Sequence, residues 1–247
     1  MDHDKILKLL LGIEPSAVSE NVLVTPVLSI PFLKKLLNSP LVVDSFVCRT
    51  LVSKEITVIK TSMGASVVGD VVLSLKNTPA KNLFFIGSCG GVNANLDDII
   101  LAEKAVVQES FSLAHDHGHQ MPGTTSAFTG TLFDDFAAYL GREKIRFKKG
   151  AIFTAGSLYF ETEKNMEDLK QNNILGIDLE TSAFYTACAL CGFESLAALY
   201  VTDLPGSKPF YENSDAASRE MIKASRDSVT ISVTDFIKNM AQAKKTK

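Results

Sequence analysis

The sequence predicts an α/β fold, because segments typical of strands alternate with segments typical of helices along most of the 247 residues. Residues 82–87 form a continuous apolar run, as in a strand buried on both faces of a sheet. Residues 216–240 place apolar side chains at a period near that of a helix packed through one face. No repeat or low-complexity linker interrupts the chain. We therefore expect one domain over residues 1–247, with a mixed, largely parallel central sheet covered by helices.

The individual elements are predicted in order from apolar periodicity and from residues that begin or end elements. Pro31 suits the first turn of a helix, Gly192 suits the end of one, and residues 53–54 suit the turn of a hairpin. The predicted strands are residues 21–25, 42–52, 56–61, 82–87, 98–109, 150–155, 175–178 and 195–202. The predicted helices are residues 30–37, 67–75, 132–140, 163–172, 180–191 and 216–240. Residues 112–126 are polar and unpatterned, which predicts a long loop.

Composition excludes several classes of protein. An apolar fraction of 46% with 21% charged residues suits a folded domain, and four cysteines are too few for a disulfide scaffold. A net charge of −3 argues against a nucleic-acid partner. No run approaches the ~20 apolar residues of a membrane span. The short apolar segment 6–13 follows Asp2 and Asp4 instead of a basic leader, so we expect no signal peptide and a cytoplasmic location.

Candidate functional residues follow four predicted strands, at the edge of an α/β sheet where ligands bind. A Gly/Ser turn at residues 87–91 follows one strand, and an aromatic loop at residues 156–160 follows another. A third strand ends in Asp178, with Glu180 two residues later, and a fourth ends in Asp203.

Each feature has a structural alternative. The glycines can form an ordinary turn and the aromatics can belong to the core. Asp178 can cap the next helix, which we favour; Glu180 can complement the helix dipole, and Asp203 can start a turn.

Taken in order, these segments resemble one family, the nucleoside phosphorylase superfamily, and most closely the bacterial hexameric purine nucleoside phosphorylases. The most specific signal is the string around Glu180 followed by the strand-end Asp203. The resemblance covers most of the chain and implies a three-layer α/β/α phosphorylase-type fold and a homodimer or homohexamer. It also implies cleavage of the bond between ribose and a base, without a metal or an organic cofactor. The segments that carry it are residues 87–90, 150–155, 174–185, 201–203 and 216–219.

The resemblance implies a role for each matching residue. Asp203 corresponds to the general acid that protonates the departing purine, and Arg219 to an arginine that is drawn toward this acid. Glu180 corresponds to the carboxylate that binds the ribose hydroxyls, and Leu179 to an apolar side chain under the sugar. The remaining substrate-binding matches are Leu158 and Tyr159 at the base, and Ser88 with its neighbours Gly87, Cys89 and Gly90 at the acceptor.

The acceptor is where the sequence departs from the family pattern. Phosphate-binding arginines are expected at the position of Phe85 and within residues 26–30, where none occurs. Arg49 is the only candidate for a third, contributed by a neighbouring subunit. The related hydrolytic enzymes use a glutamate after the first strand, and residues 27–29 offer no such base. Phosphorolysis of a purine nucleoside is therefore placed slightly ahead of hydrolysis by water, with a non-catalytic nucleoside-binding or storage protein as a third hypothesis. The 5′ substituent and the choice between 6-amino and 6-oxo purines stay open.

Two further clusters have structural explanations. His115, His117 and His119 alternate in the predicted loop, but this spacing does not define a closed metal site, so we expect a ligand-closing loop or surface histidines. Cys188 and Cys191 form a CxxC inside a predicted helix. A reactive thiolate is favoured at a helix N-terminus or beside a cation, so we expect these cysteines to have a buried apolar role.

Overall fold

A mixed sheet of ten strands lies at the centre of the fold in the computed structural model, which describes residues 2–38, 40–115, 124–212 and 215–245. The strands are β1 (Asn21–Thr25), β2 (Leu41–Asp44), β3 (Arg49–Val52), β4 (Thr57–Lys60), β5 (Asn82–Gly91), β6 (Ile99–Gln108), β7 (Thr125–Ala127), β8 (Lys148–Ala155), β9 (Gly176–Asp178) and β10 (Glu194–Asp203). The helices are α1 (His3–Leu11), α2 (Ile30–Leu36), α3 (Ala65–Ser74), α4 (Ser110–His115), α5 (Leu132–Arg142), α6 (Glu163–Gln171), α7 (Thr181–Cys191) and α8 (Ala216–Lys245). Short 3₁₀ turns occur at Pro15–Ala17, Leu75–Asn77 and Leu158–Phe160.

Five of the strands close on themselves. The pairing runs from β10 through β6, β8 and β9 to β5, and β10 also pairs directly with β5. From β5 the sheet continues through β1 and β4 to the β3–β2 hairpin. The strands β10, β5, β1 and β4 are parallel, whereas β9 is antiparallel to β5 and β6 is antiparallel to β10. The sheet is mixed, as predicted, but less parallel than the sequence suggests. The carboxyl ends of β5 and β10 meet beside β9.

Helices cover both faces of the sheet. Successive residues of a strand point to opposite faces, and each face of β1 and β5 is apolar. Val24 and Phe85 pack in the cluster that includes α1, α3 and α7, whereas Leu23 and Phe84 pack in the cluster that includes α2, α5 and α8. A smaller cluster around Met166 joins α6 to β8 and β9. The predicted three-layer α/β/α arrangement is confirmed.

The helices α7 and α8 illustrate two modes of burial. In α7, every residue from Thr181 to Cys188 is buried, because this helix lies between α3 and the sheet. In α8, Val229, Val233 and Ile237 recur every fourth residue, and this spacing returns them to the face that packs on the sheet.

No helix among the described residues is long and apolar enough to cross a membrane.

The prediction of one strand over residues 42–52 is wrong. The segment forms two antiparallel strands, β2 and β3, because the hydroxyl of Ser45 stabilises a turn between them. Ser45 Oγ donates to the carbonyl of Cys48 at 2.9 Å and accepts from its backbone N–H at 3.1 Å. The predicted hairpin between β3 and β4 is confirmed, with the backbone N–H of Ser53 donating to Ile56 at 3.0 Å.

The interpretation of residues 87–91 as a turn is also wrong. They continue β5, because Gly90 and Gly91 pair with Ile177 and Gly176 of β9, while β10 pairs along the other edge. Glycine is needed here for close packing and not for a turn. A Cβ on Gly90 would lie 2.8 Å from the ring of Pro205.

Three elements lie in segments for which no helix or strand was predicted. The helix α1 begins where the Asp2 carboxylate accepts from the backbone N–H of Lys5, and it ends at Gly12, whose φ is +71°. The helix α4 and the strand β7 occupy both ends of the predicted loop 112–126. They were missed because both are short.

Candidate active site

The carboxyl ends of β5 and β10 open into a cavity of about 230 Å³, which the loop after β8 and the N-terminus of α7 complete. Larger clefts lie beside α2 and beside α8, but neither contains a residue of the predicted site. The cavity brings together seven of the predicted residues: Ser88, Cys89, Gly90, Leu158, Leu179, Glu180 and Asp203. The other lining residues are Pro26, Val27, Met63, Glu161, Ile177, Asp178, Thr202 and Phe210.

Asp203 ends β10 and is only 6% exposed. Its Oδ1 accepts a hydrogen bond from Thr202 Oγ1 at 3.0 Å, whereas its Oδ2 is buried without a hydrogen-bond partner among the described residues. Burial raises the pKa of Asp203, and this effect outweighs the opposite effect of hydrogen bonds from Thr202 and the Phe210 backbone. The carboxyl therefore retains a proton more readily than a free aspartate does.

Glu180 immediately precedes α7, is buried, and belongs to the same cavity lining. Its Oε1 accepts a hydrogen bond at 2.7 Å from the backbone N–H of Gly64, whose φ of +116° favours glycine. Burial, and secondarily the charge of Asp178, raises the pKa of Glu180 to about 7. A carboxylate offers about four acceptor positions, so one backbone hydrogen bond leaves Glu180 able to accept hydroxyl groups from a ligand.

Asp178 supports the start of α7, as the sequence analysis favours. Its Oδ2 accepts from the backbone N–H of Thr181 at 2.8 Å and from the Thr181 hydroxyl, and its Oδ1 accepts from Thr154 Oγ1 at 2.8 Å. Ser182 donates its backbone N–H to the same Thr154 hydroxyl at 3.0 Å. These bonds fix the helix N-terminus from which Glu180 enters the cavity. Burial raises the pKa of Asp178 as well.

The lining of the cavity is strongly acidic. It contains four carboxyl groups, those of Glu161, Asp178, Glu180 and Asp203, and no lysine, arginine or histidine among the residues that the structure describes. Because like charges at short range disfavour simultaneous ionisation, this lining favours protonated carboxyls and a neutral or cationic ligand.

Glu161 is a cavity residue that the sequence analysis missed. It directly follows the 3₁₀ turn at Leu158–Phe160, one residue beyond the segment assigned to the aromatic loop. Burial, and secondarily the charge of Asp203, raises the pKa of the half-buried Glu161 to about 7. In the sequence, only the position of Glu161 after a strand-end loop indicates a site residue, because an isolated glutamate in a polar segment usually lies on the surface.

Three of the predicted site residues lie outside the cavity lining. Tyr159 is 94% exposed at the rim, although its neighbour Leu158 lines the cavity. Gly87 lies within β5, packed against Phe85 and Leu199. Arg219 is exposed in the first turn of α8. The roles of these three residues stay predictions.

Two of the three expected phosphate positions, Phe85 and Arg49, lie away from the cavity lining, whereas Pro26 and Val27 of the third, residues 26–30, belong to it. Phe85 is fully buried in the core and packs against Phe184 with ring centroids 5.3 Å apart. Arg49 begins β3, where its side chain is exposed and forms an ion pair at 2.8 Å with Asp44 of β2. Neither side chain lines the cavity in the chain as described.

The histidine and cysteine clusters have separate outcomes. His115 ends α4 and packs against the ring of Phe111 at 4.5 Å, whereas His117 and His119 lie outside the described residues. Within the described ranges, no group of three or more His, Cys, Asp or Glu residues is arranged to hold a metal ion. Cys188 is buried in α7, and burial raises the pKa of its thiol, as expected for an apolar role.

Comparison with known proteins connects this geometry to a family. The profile described as the phosphorylase superfamily matches residues 19–238. The chain belongs to the phosphorylase superfamily. The "Purine nucleoside phosphorylase DeoD-type" of Bacillus velezensis is 26% identical over 183 residues, which cover 72% of this chain and 77% of the relative. The protein of the same name from Buchnera aphidicola is 29% identical over 159 residues, which cover 61% of this chain and 64% of the relative. The predicted family and enzyme class are confirmed.

Solved structures show the same fold at lower identity. AMP nucleosidase from Bacteroides thetaiotaomicron aligns with a TM-score of 0.76 at 15% identity, covering 99% of this chain and 98% of its own. Uridine phosphorylase from Vibrio fischeri aligns with a TM-score of 0.71 at 20% identity, covering 89% of this chain and 90% of its own. The superfamily fold thus occurs in both a nucleosidase and a phosphorylase.

Proposed function

We propose that this protein cleaves the N-glycosidic bond of a purine nucleoside, with Asp203 as the general acid and Glu180 as the ribose ligand. One observation carries the proposal: both residues line the same cavity, and Oδ2 of Asp203 is buried without a hydrogen-bond partner among the described residues. Membership of the phosphorylase superfamily supports the reaction class. A homodimer or homohexamer, implied by the resemblance, is part of the proposal.

The acid role follows from the charge that develops during cleavage. As the bond to the sugar lengthens, negative charge accumulates on the departing purine, and a proton delivered to N7 neutralises it. Positioned acids accelerate such steps by about 10²–10⁴. Asp203 suits this role because its pKa is raised by burial and its Oδ2 is not engaged by any group in the described ranges of the chain.

The sugar becomes cationic in the same step. An ionised Glu180 would accept hydrogen bonds from both ribose hydroxyls, and charge-assisted bonds of this kind are strong. The same ionised carboxylate would stabilise the oxocarbenium-like sugar electrostatically. Leu179 and Met63 offer apolar contact near the sugar, and Leu158 and Phe210 offer it near the base.

Arg219 is proposed to act from outside the lining. A second, smaller cavity of about 140 Å³ is lined both by Asp203 and by Ser218 in the first turn of α8, next in sequence to Arg219. A cation in this turn would stabilise the Asp203 carboxylate once its proton has left. Tyr159, at the exposed rim, would cover the base after binding.

The acceptor is the second part of the proposal. The sequence places phosphate slightly ahead of water, and phosphorylase relatives support that order. The described lining supports the other order, because a phosphate dianion would enter a cavity lined by four acidic residues and, among the described residues, by no cation. Phosphate is repelled by whichever of these carboxyls are ionised, and no cation of the described lining offsets that repulsion. We therefore propose hydrolysis by water, with phosphorolysis as the alternative.

The test incubates the purified protein with adenosine and with inosine, with and without phosphate, and separates base, ribose and ribose 1-phosphate. Release of base and free ribose without phosphate is expected. Ribose 1-phosphate formed only in the presence of phosphate would establish phosphorolysis instead. Binding of both nucleosides without release of base would favour the storage hypothesis. An Asp203→Asn preparation, purified in parallel, controls for contaminating enzymes.

A further inference from the structure

Glu161 lines the active-site cavity together with Asp203, but it has a different environment. Its backbone N–H donates to the carbonyl of Leu158 at 3.3 Å, which anchors the residue at the end of the 3₁₀ turn. Its carboxyl makes no hydrogen bond or ion pair within the described part of the chain, and its main electrostatic neighbour is Asp203. A half-buried carboxyl without a protein partner in a ligand cavity is available to a ligand.

The two oxygens of Asp203 explain why a second group is needed at the base. Oδ1 accepts from the Thr202 hydroxyl, whereas Oδ2 has no partner among the described residues, so Oδ2 is the oxygen that we assign to a ring nitrogen. The substituent at C6 of a purine lies next to N7 on the same edge. If Oδ2 donates its proton to N7, the group at C6 must find a different partner in the cavity.

We propose that Glu161 is the specificity-determining residue for the base and that it selects 6-amino purines over 6-oxo purines. This inference rests on the proposed function. An ionised carboxyl can only accept hydrogen bonds, so it pairs with an exocyclic amine and opposes an oxo group. A buried polar group left unpaired by the wrong substrate lowers the rate for that substrate, because the interaction is lost in the transition state.

Protonation of Glu161 removes this preference. Above its pKa of about 7 the carboxylate accepts from the amine, and below it the neutral acid can donate to an oxo group. The other titratable groups among the described lining residues are Cys89, Asp178, Glu180 and Asp203. Glu180 and Asp203 act on the sugar and on N7, which adenosine and inosine share, so their titration changes both rates together. The adenosine-to-inosine ratio of kcat/KM should therefore rise with pH.

The experiment measures that ratio for the wild type, Glu161→Gln and Glu161→Ala. Glu163→Gln, an exposed glutamate at the start of α6, is the matched control. The wild type and the control should prefer adenosine, and Glu161→Ala should lose about tenfold or more of the preference. The wild-type ratio should rise between about pH 6 and about pH 8, and the Glu161→Gln ratio should stay flat. The ratio does not depend on the fraction of correctly folded enzyme, because both substrates report on the same active molecules.

The outcomes separate this inference from the function on which it rests. Cleavage of both nucleosides with a ratio that Glu161→Ala leaves unchanged would overturn the role of Glu161 and leave the proposed function intact. A wild-type preference for inosine at the higher pH would do the same. Failure of the wild type to cleave either nucleoside would overturn the proposed function and the inference with it.

Discussion

Replacing Glu180 by glutamine should stabilise the folded protein at alkaline pH while it abolishes ribose binding. The reason is that the fold buries this carboxyl beside Asp178, which raises its pKa from 4.5 to about 7. Between those two values the folded protein binds more protons at Glu180 than the unfolded chain does, so stability falls as pH rises. Glutamine has nearly the same shape, can still accept from Gly64, and carries no charge to desolvate.

The magnitude follows from the pKa values. One pKa unit corresponds to about 1.4 kcal/mol, so the shift from 4.5 to about 7 amounts to roughly 3 kcal/mol once Glu180 is fully ionised. Part of this penalty is already present near pH 5. The stability advantage of Glu180→Gln should therefore grow by about 2 kcal/mol between about pH 5 and about pH 8.

Urea unfolding followed by far-UV circular dichroism measures this difference, and it suits a chain without tryptophan. Glu103→Gln, an exposed position on β6, is the matched control and should show no comparable pH-dependent gain. A Glu180→Gln advantage that stays constant with pH would refute the argument from a raised pKa. A variant less stable than the wild type at the alkaline pH would refute it as well.

Two further predictions concern residues outside the lining. Phe85→Ala should lower the free energy of unfolding by about 3–5 kcal/mol in the same assay, because it opens a cavity against Phe184. A decrease of less than about 1 kcal/mol would mean that Phe85 is not a core residue. Arg219→Ala should lower kcat more than it raises KM, while stability changes by less than about 0.5 kcal/mol, because the side chain is exposed. Steady-state kinetics with adenosine measures the first effect, and an unchanged kcat would remove Arg219 from the mechanism.

The long apolar segments could be predicted from sequence because one physical cause dominates each of them. Residues 82–87 are buried on both faces, and α8 is buried on one, so their periodicity is unambiguous. The β2–β3 turn was missed because it depends on a single hydroxyl, that of Ser45. The glycines at 87–91 were misread because close strand packing and tight turns select the same residue, and only the long-range pairing with β9 distinguishes them.

Site residues at the ends of strands could be predicted from the sequence, whereas those positioned by a loop could be predicted less well. Asp203 and Glu180 lie beside elements whose ends the sequence marks, and both reach the cavity. Glu161 depends on the path of the chain after β8, and the position of Tyr159 depends on the same turn. The acidity of the lining emerges only in three dimensions, since its four carboxyls come from three separate segments of the chain.

The central claim is that Asp203 supplies a proton to the departing base. Cleavage of adenosine and of its N7-methylated analogue by wild type and by Asp203→Asn tests it most directly, because the methylated base already carries the positive charge that the acid would provide. The account predicts that Asp203→Asn lowers kcat for adenosine by about 10²–10⁴ and leaves cleavage of the methylated analogue within a few-fold of wild type. An equal loss with both substrates would contradict an acid role and leave Asp203 only a structural or binding function.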